Sequence, residues 1–232
     1  MKKVLIIAVA ALAVVSMTSC GGSRAMKSDV DTLSYALGTD FGNSLKRLVN
    51  SLEDEMNMDL FYKGVEDALA ENVAIEQQEA YAFLRNYMNV VNPQKALAAS
   101  TAYLAEIEKQ EGVQKTESGL LYQIVREGNA DKKATLDTDK VRVMYEGKTR
   151  DGKVFDSSYE RGDTAQFALN QVIKGWTEGM KLVGEGGEIK LWIPANLAYG
   201  PRGTRDGSIG PNHAITFTVE LVEVIPTEAE AK

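Results

Sequence analysis

Val141-Arg142-Val143-Met144-Tyr145-Glu146-Gly147 sets the period of the last third of the chain. Val141, Val143 and Tyr145 fall two apart, so a strand through them turns all three to one face. The same period recurs on both sides. Leu121, Gln123 and Val125 alternate with Tyr122 and Ile124; Ile189, Leu191 and Ile193 share one face, and Phe217, Val219 and Leu221 share another. Between these runs, Trp176, Met180 and Val183 sit at helical spacing in a short segment. Strands of this kind with one short helix packed on them form an antiparallel sheet of the α+β class. The composition changes near residue 115, where the strand period begins.

Upstream, the period is helical. Leu37, Phe41 and Leu45 fall four apart and Leu48 completes the stripe. Phe61, Val65, Ala68 and Leu69 make a second stripe, and Phe83, Tyr87 and Val91 a third, with Leu84 and Met88 beside them. Gly38 and Gly42, also four apart, would let another helix come close, within one chain or across a dimer. Pro93 interrupts the pattern. A longer helix is expected over about 94–111, rich in Ala, Leu, Glu, Lys and Gln, with Gly112 as its stop.

The chain opens on Met1-Lys2-Lys3 and an unbroken apolar run from Val4 to Val15. That run is too short for a spanning helix and suits the apolar region of a signal peptide. Met17-Thr18-Ser19-Cys20-Gly21-Gly22 follows, and small residues ahead of a cysteine resemble a bacterial lipobox. The expectation is a signal peptide over 1–19 and lipid attachment at Cys20, which would hold the protein on a leaflet without a spanning segment. Ordinary cleavage with Cys20 as a bystander is the alternative. Residues 20–28 read as a lipidated tether, 29–92 as a helical domain, 93–115 as a connecting helix, 116–226 as the sheet domain and 227–232 as an acidic tail.

Composition removes several function classes. The formal charge of −7 and the lack of a basic patch with interleaved aromatics argue against nucleic acid as a partner. One cysteine cannot make an internal disulfide, and one cysteine with one histidine cannot build the usual structural zinc site. A Ser-His-Asp triad would have to use His213, beside which there is no nucleophile elbow. Gly184-Glu185-Gly186-Gly187 is glycine-rich, but its glutamates would repel phosphate, so it reads as a turn.

What remains are scattered aromatics, which carry function only if they converge. They stand in Tyr145, Val154-Phe155-Asp156-Ser157-Ser158, Gln171-Val172-Ile173-Lys174-Gly175-Trp176, Trp192-Ile193-Pro194, Ala198-Tyr199-Gly200 and Phe217. In order and spacing these resemble the FKBP-type peptidyl-prolyl cis-trans isomerases, and within them the bacterial, envelope-located Mip/FkpA-like branch. The resemblance is strong over about 116–225 and looser over 29–115. It implies an FKBP-like sheet wrapped on a short helix, preceded by an all-α dimerisation or client domain and a long connecting helix. It implies an isomerase acting on proline-containing, unfolded or partly folded polypeptides, a homodimer through the N-terminal helices, macrolide ligands, and no cofactor or metal. A holdase or binding module with a weakly active domain is the alternative.

The resemblance also assigns roles. Trp176 would be the floor under the proline ring, with Tyr145, Phe155, Val172, Ile173 and Phe217 as walls and Phe167 as a further pocket aromatic. The Ile173 N–H would bind a substrate carbonyl, and the Tyr199 hydroxyl the carbonyl of the rotating bond. Asp156, held by the Tyr145 hydroxyl, would lie near that carbonyl carbon, and Ile209 in the 200–213 loop would cover the top. Ala165 stands where many members carry an aromatic, so that wall should be more open. Read singly, Trp176 and Phe217 are core residues, Asp156 is a turn residue and Tyr199 packs. Trp192 reads as an outer-face aromatic, and His213 receives no role.

Overall fold

The computed structural model describes residues 26–227, and the expected signal peptide over 1–19, the expected lipid attachment at Cys20 and the tail beyond Thr227 lie outside them. Compactness divides the chain after Gly42. Helix α1 (Asp29–Asn50) carries Asp29 and Asp31 in its first turn, where carboxylates suit the positive end of the helix dipole. No residue of it is buried; Leu37 is 63% exposed. A Cβ added at Gly38 or Gly42 would meet nothing within 4 Å, so neither glycine serves a close approach among the described residues.

The second unit starts at Asn43. Helix α2 (Met58–Leu69) is capped by Asn57, whose side chain accepts from the Leu60 N–H at 3.0 Å. Helix α3 (Gln77–Asn86) runs into a π-helical turn (Tyr87–Val91) and then into α4 (Asn92–Ile107). Pro93 was expected to interrupt the helix, and it does not. The π turn moves the Asn92 N–H back to the Tyr87 carbonyl, and the wider turn accommodates a residue with no N–H and a bulky ring. At its other end α4 stops at Ile107, short of the expected 111. The chain then turns through Gly112, which has φ +80°, and Gln114–Lys115 is already a strand.

The sheet has seven strands: β1 (Gln114–Lys115), β2 (Leu121–Arg126), β4 (Lys140–Thr149), β5 (Val154–Ser157), β6 (Ala165–Ala168), β8 (Glu188–Ile193) and β9 (Ile215–Ile225). Their order is β1-β2-β8-β9-β4-β5, β6 also pairs with β4, and every pairing is antiparallel. A separate two-stranded ribbon joins β3 (Asn129–Lys133) to β7 (Gly184–Glu185). The period of two is the burial pattern: Val141, Val143, Tyr145, Gly147 and Thr149 are all buried along β4. Opposite Arg142 and Val143 of β4 the register slips, leaving Val222 of β9 as the extra, exposed residue. That bulge returns Val224 to the buried face.

Two short helices complete the domain, α5 (Ser158–Arg161) and α6 (Lys174–Gly179). A Cβ at Gly175 would lie 2.5 Å from Ile193 Cγ2 and one at Gly179 2.7 Å from Leu191, so the two glycines let α6 lie against β8. Of the expected helical trio, only Trp176 lies within α6. Met180 caps it and Val183 follows it, and both are fully buried.

The opposite face of β2 and β8 is also covered. Trp192 and its register partner Leu121 pack with Ile107, Tyr103 and Leu104 of α4. The outer-face aromatic expected from the alternation is therefore 7% exposed, because α4 lies on it. The Tyr103 hydroxyl reaches Thr216 Oγ1 at 3.0 Å on β9.

Candidate active site

Gly147 organises the cleft. In the ladder it faces Phe217 of β9 on one side and Asp156 of β5 on the other. A Cβ there would lie 2.6 Å from the Phe217 ring and 2.8 Å from that of Phe155, so the missing side chain is what lets the two rings meet. They do so edge to face, with centroids 5.5 Å apart.

Trp176 sits beneath. Its ring meets Tyr145 at 5.1 Å, Phe217 at 5.1 Å and Phe167 at 5.6 Å, each close to perpendicular. Edge-to-face pairs of this kind each add about 0.5–1.5 kcal/mol beyond burial. They also fix the plane of the indole. Its Nε1 is buried without an acceptor among the described residues, so the floor offers a flat ring and no accessible polar group.

Above this floor opens a cleft of about 270 Å³ lined by Tyr145, Asp156, Phe167, Gln171, Val172, Ile173, Trp176, Tyr199 and Phe217. Eight of the ten expected protein-site residues thus converge in one place. Phe155 and Ile209 line an adjoining cavity of about 440 Å³ that shares Asp156 and Tyr199 with the cleft. Ile209 is 1% exposed and packs in the hydrophobic core. Ala165 is a half-buried strand residue opposite Val143.

The polar edge is built by the turn after β5. The Ser157 side chain caps α5 by accepting from the Glu160 N–H, and the fully buried Ser158 Oγ accepts from the Tyr145 N–H at 2.8 Å. This local folding brings Arg161 back over the strand. The Tyr145 hydroxyl donates to Asp156 Oδ2 at 2.6 Å, Arg161 Nη1 to Asp156 Oδ1 at 2.6 Å, and Arg161 Nη2 to the Tyr145 hydroxyl at 2.8 Å. The guanidinium carbon also stands 5.6 Å from the Tyr145 ring centroid. Arg161 and Gln171 are the site residues that sequence reasoning missed.

These contacts fix protonation. Burial pushes the Asp156 carboxyl upward, but hydrogen bonds from Tyr145 and Arg161 outweigh it and hold the carboxyl below the usual range. Burial, then the neighbouring Asp156, pushes the Tyr145 phenol up. Burial likewise raises the Tyr199 phenol. At neutral pH the cleft therefore holds one fixed carboxylate and two protonated phenols. Tyr199 is 37% exposed, and its hydroxyl makes no hydrogen bond to the described residues. The Ile173 N–H, at the start of α6, likewise has no backbone acceptor among them. The one histidine points elsewhere, to Glu53. No group of three or more His, Cys, Asp or Glu among the described residues could hold a metal ion. Such a cleft can bind an apolar ring and two carbonyls.

The chain is similar to known proteins over most of its length. Residues 131–222 match the family of FKBP-type peptidyl-prolyl cis-trans isomerases, and residues 30–124 match the domain amino-terminal to such isomerases. The isomerase FkpA of Escherichia coli is 38% identical over 230 residues, covering 93% of this chain and 83% of that one. The outer membrane protein MIP of Legionella longbeachae is 31% identical, covering 96% and 97%. The crystal structure of FkpA from Escherichia coli superposes with a TM-score of 0.56 at 36% identity, covering 88% of this chain and all of that one. The chain belongs to the FKBP-type peptidyl-prolyl cis-trans isomerase family and is an enzyme of that type.

Proposed function

We propose that the cleft isomerises X-Pro bonds by non-covalent stabilisation of the twisted amide. The observation that carries this reading is an aromatic floor in a cleft that also holds two donors without a partner among the described residues, the Tyr199 hydroxyl and the Ile173 N–H. The rotational barrier, about 18–20 kcal/mol, comes from amide resonance, so no bond need form or break. Each tenfold of acceleration requires about 1.4 kcal/mol of preference for the twisted amide over the planar one.

The planar amide carries partial charges that water solvates. With the proline ring on Trp176, aromatic edges replace that water and return less to the planar form. The Tyr199 hydroxyl donates to the carbonyl of the rotating bond, and the Ile173 N–H holds a second substrate carbonyl. Asp156, fixed by Tyr145 and Arg161, stays an anion beside the carbonyl carbon and transfers no proton. Phe155 and Ile209 border the space beyond that carbonyl, toward the residue before proline.

The test is a protease-coupled isomerisation assay on the chain from residue 24 onward. The peptides vary the residue before proline, with and without a macrolide ligand. Turnover that the macrolide blocks is the expected result. Folded protein without turnover would overturn the reading and favour the binding module.

In the cell, the enzyme would assist folding in the bacterial envelope, anchored through Cys20. The apolar run ahead of Cys20 supports this, as does the likeness to the outer membrane protein MIP of Legionella longbeachae. No helix among the described residues is long and apolar enough to cross a membrane. Loss of lipid label and of membrane association in Cys20→Ser is the expected outcome.

A second activity, holding unfolded clients, is favoured by the exposed apolar residues Leu60, Leu69, Tyr81, Phe83 and Leu84 on α2 and α3. The fragment 29–111 would then suppress aggregation where 116–226 does not. The exposed stripe of α1 supports a homodimer, which Leu37→Asp would convert to monomer in sedimentation.

A further inference from the structure

Tyr199 immediately precedes the 200–213 loop, and the far end of that loop is tied back beside it. The Asn212 N–H donates to the Gly200 carbonyl at 3.0 Å, one residue from Tyr199. Asn212 has φ +59°, a left-handed conformation that asparagine tolerates better than most residues bearing a β-carbon. It is held there from a distant part of the chain: its Nδ2 donates to the Pro93 carbonyl of α4 at 3.0 Å.

The next two residues are held as well. His213 Nε2 meets Glu53 Oε1 at 2.7 Å, and the Ala214 N–H donates to Ser100 Oγ of α4 at 2.9 Å. Arg150 closes the group, with Nη1 on Ser100 Oγ at 3.2 Å and Nη2 on the other Glu53 oxygen. Asn92, 1% exposed, fixes Glu53 by accepting from its N–H at 2.8 Å. Ser100 and Ala214 are buried. The bonds of Asn212 to Pro93, His213 to Glu53 and Ala214 to Ser100 all fall at the far end of the 200–213 loop, apart from the packing of α4 on Leu121 and Trp192.

We propose that α4 positions the isomerase cleft: it fixes Asn212, and through the Asn212–Gly200 hydrogen bond it sets where the Tyr199 hydroxyl lies. Asn212, Ser100 and Glu53 are then positioning residues that never touch the substrate. The inference rests on the role given to Tyr199 above. A donor displaced by even a fraction of an ångström loses its hold on the twisted carbonyl while leaving the floor that binds the ring unchanged. The cost therefore falls on kcat and spares KM.

The test uses the full chain and steady-state kinetics at pH 7.5. Asn212→Gly keeps the backbone conformation available and removes only the bond to Pro93. It should lower kcat roughly tenfold with KM nearly unchanged. Combined with Tyr199→Phe, it should cost nothing beyond Tyr199→Phe alone, because both act on the same hydroxyl. Should Asn212→Gly lose its native circular dichroism, Ser100→Ala, which frees Ala214 and Arg150, gives the same comparison. Wild-type kcat in a folded variant, or a loss that multiplies with that of Tyr199→Phe, would overturn the inference. If Tyr199→Phe is itself fully active, the reading of Tyr199 falls first, so the two failures are distinguishable.

Discussion

Asp156 and Tyr199 owe their roles to their neighbours. Asp156 is an anion because Tyr145 and Arg161 donate to both of its oxygens. Asp156→Asn keeps the shape and removes the charge, and Tyr199→Phe removes one hydroxyl. Each should lower kcat/KM on the order of a hundredfold in the coupled assay while the melting temperature stays near wild type. Arg161→Ala should cost less, about a few-fold, because the Tyr145 bond to Asp156 survives. The Arg161 and Asp156 side chains are 52% and 42% exposed, so water screens the pair and its loss should change stability by less than about 1 kcal/mol. Arg161 was not legible in the sequence. It lies five residues past Asp156 across a helical turn, a separation with no periodic signature. A carboxylate in an aromatic pocket does imply a cation, which could have prompted the search.

Elements were legible where one face decides them. The period of two along β4 and β9 follows from core on one side and water on the other, and the burial of Val141, Val143, Tyr145, Phe217 and Val219 repeats it. Reading failed where two elements share a residue. Trp192 looked outward because alternation turns it away from Leu191, and nothing in β8 announces that α4 covers that face. Pro93 looked like a break because local rules see a missing N–H and cannot see the π turn that absorbs it. Two substitutions test these placements. Trp192→Ala should destabilise the chain by about 3–5 kcal/mol in urea unfolding, since a buried indole against Ile107 and Leu121 is lost. Gly147→Ala adds one carbon between Phe155 and Phe217. It should cost about 1–3 kcal/mol by overpacking and raise KM more than it lowers kcat, because the pocket wall moves.

For the molecule as a whole, the group at Glu53 makes the docking of α4 sensitive to acid. His213 faces Glu53 from the connection after α1, and Arg150 and Asp151 from the β4–β5 turn; Lys153 lines the same cavity. Burial, and then Arg150, hold the imidazole below its ordinary 6.5 against the pull of Glu53 and Asp151. Its Nδ1 is buried with no partner among the described residues, so a proton there would be a donor without an acceptor. The unfolded chain thus takes up this proton at a higher pH than the folded one. The contribution is fully present above about 6.5 and is lost as the pH falls below it toward the folded value. The melting temperature should therefore drop between pH 7.5 and 5.5 in the wild type, and His213→Gln should remove most of that drop. A second loss belongs to depressed carboxylates, Asp156 and Asp206, the latter held at about 2 by Thr204 and Ser208. Their contribution is present above about 4 and is lost as the pH falls through their depressed folded values, so it should be common to both proteins. An equal drop between pH 7.5 and 5.5 in His213→Gln would assign the acid sensitivity to groups other than His213. If the drop disappears while the loss below pH 4 remains, protonation of the buried His213 imidazole accounts for the acid sensitivity between pH 7.5 and 5.5.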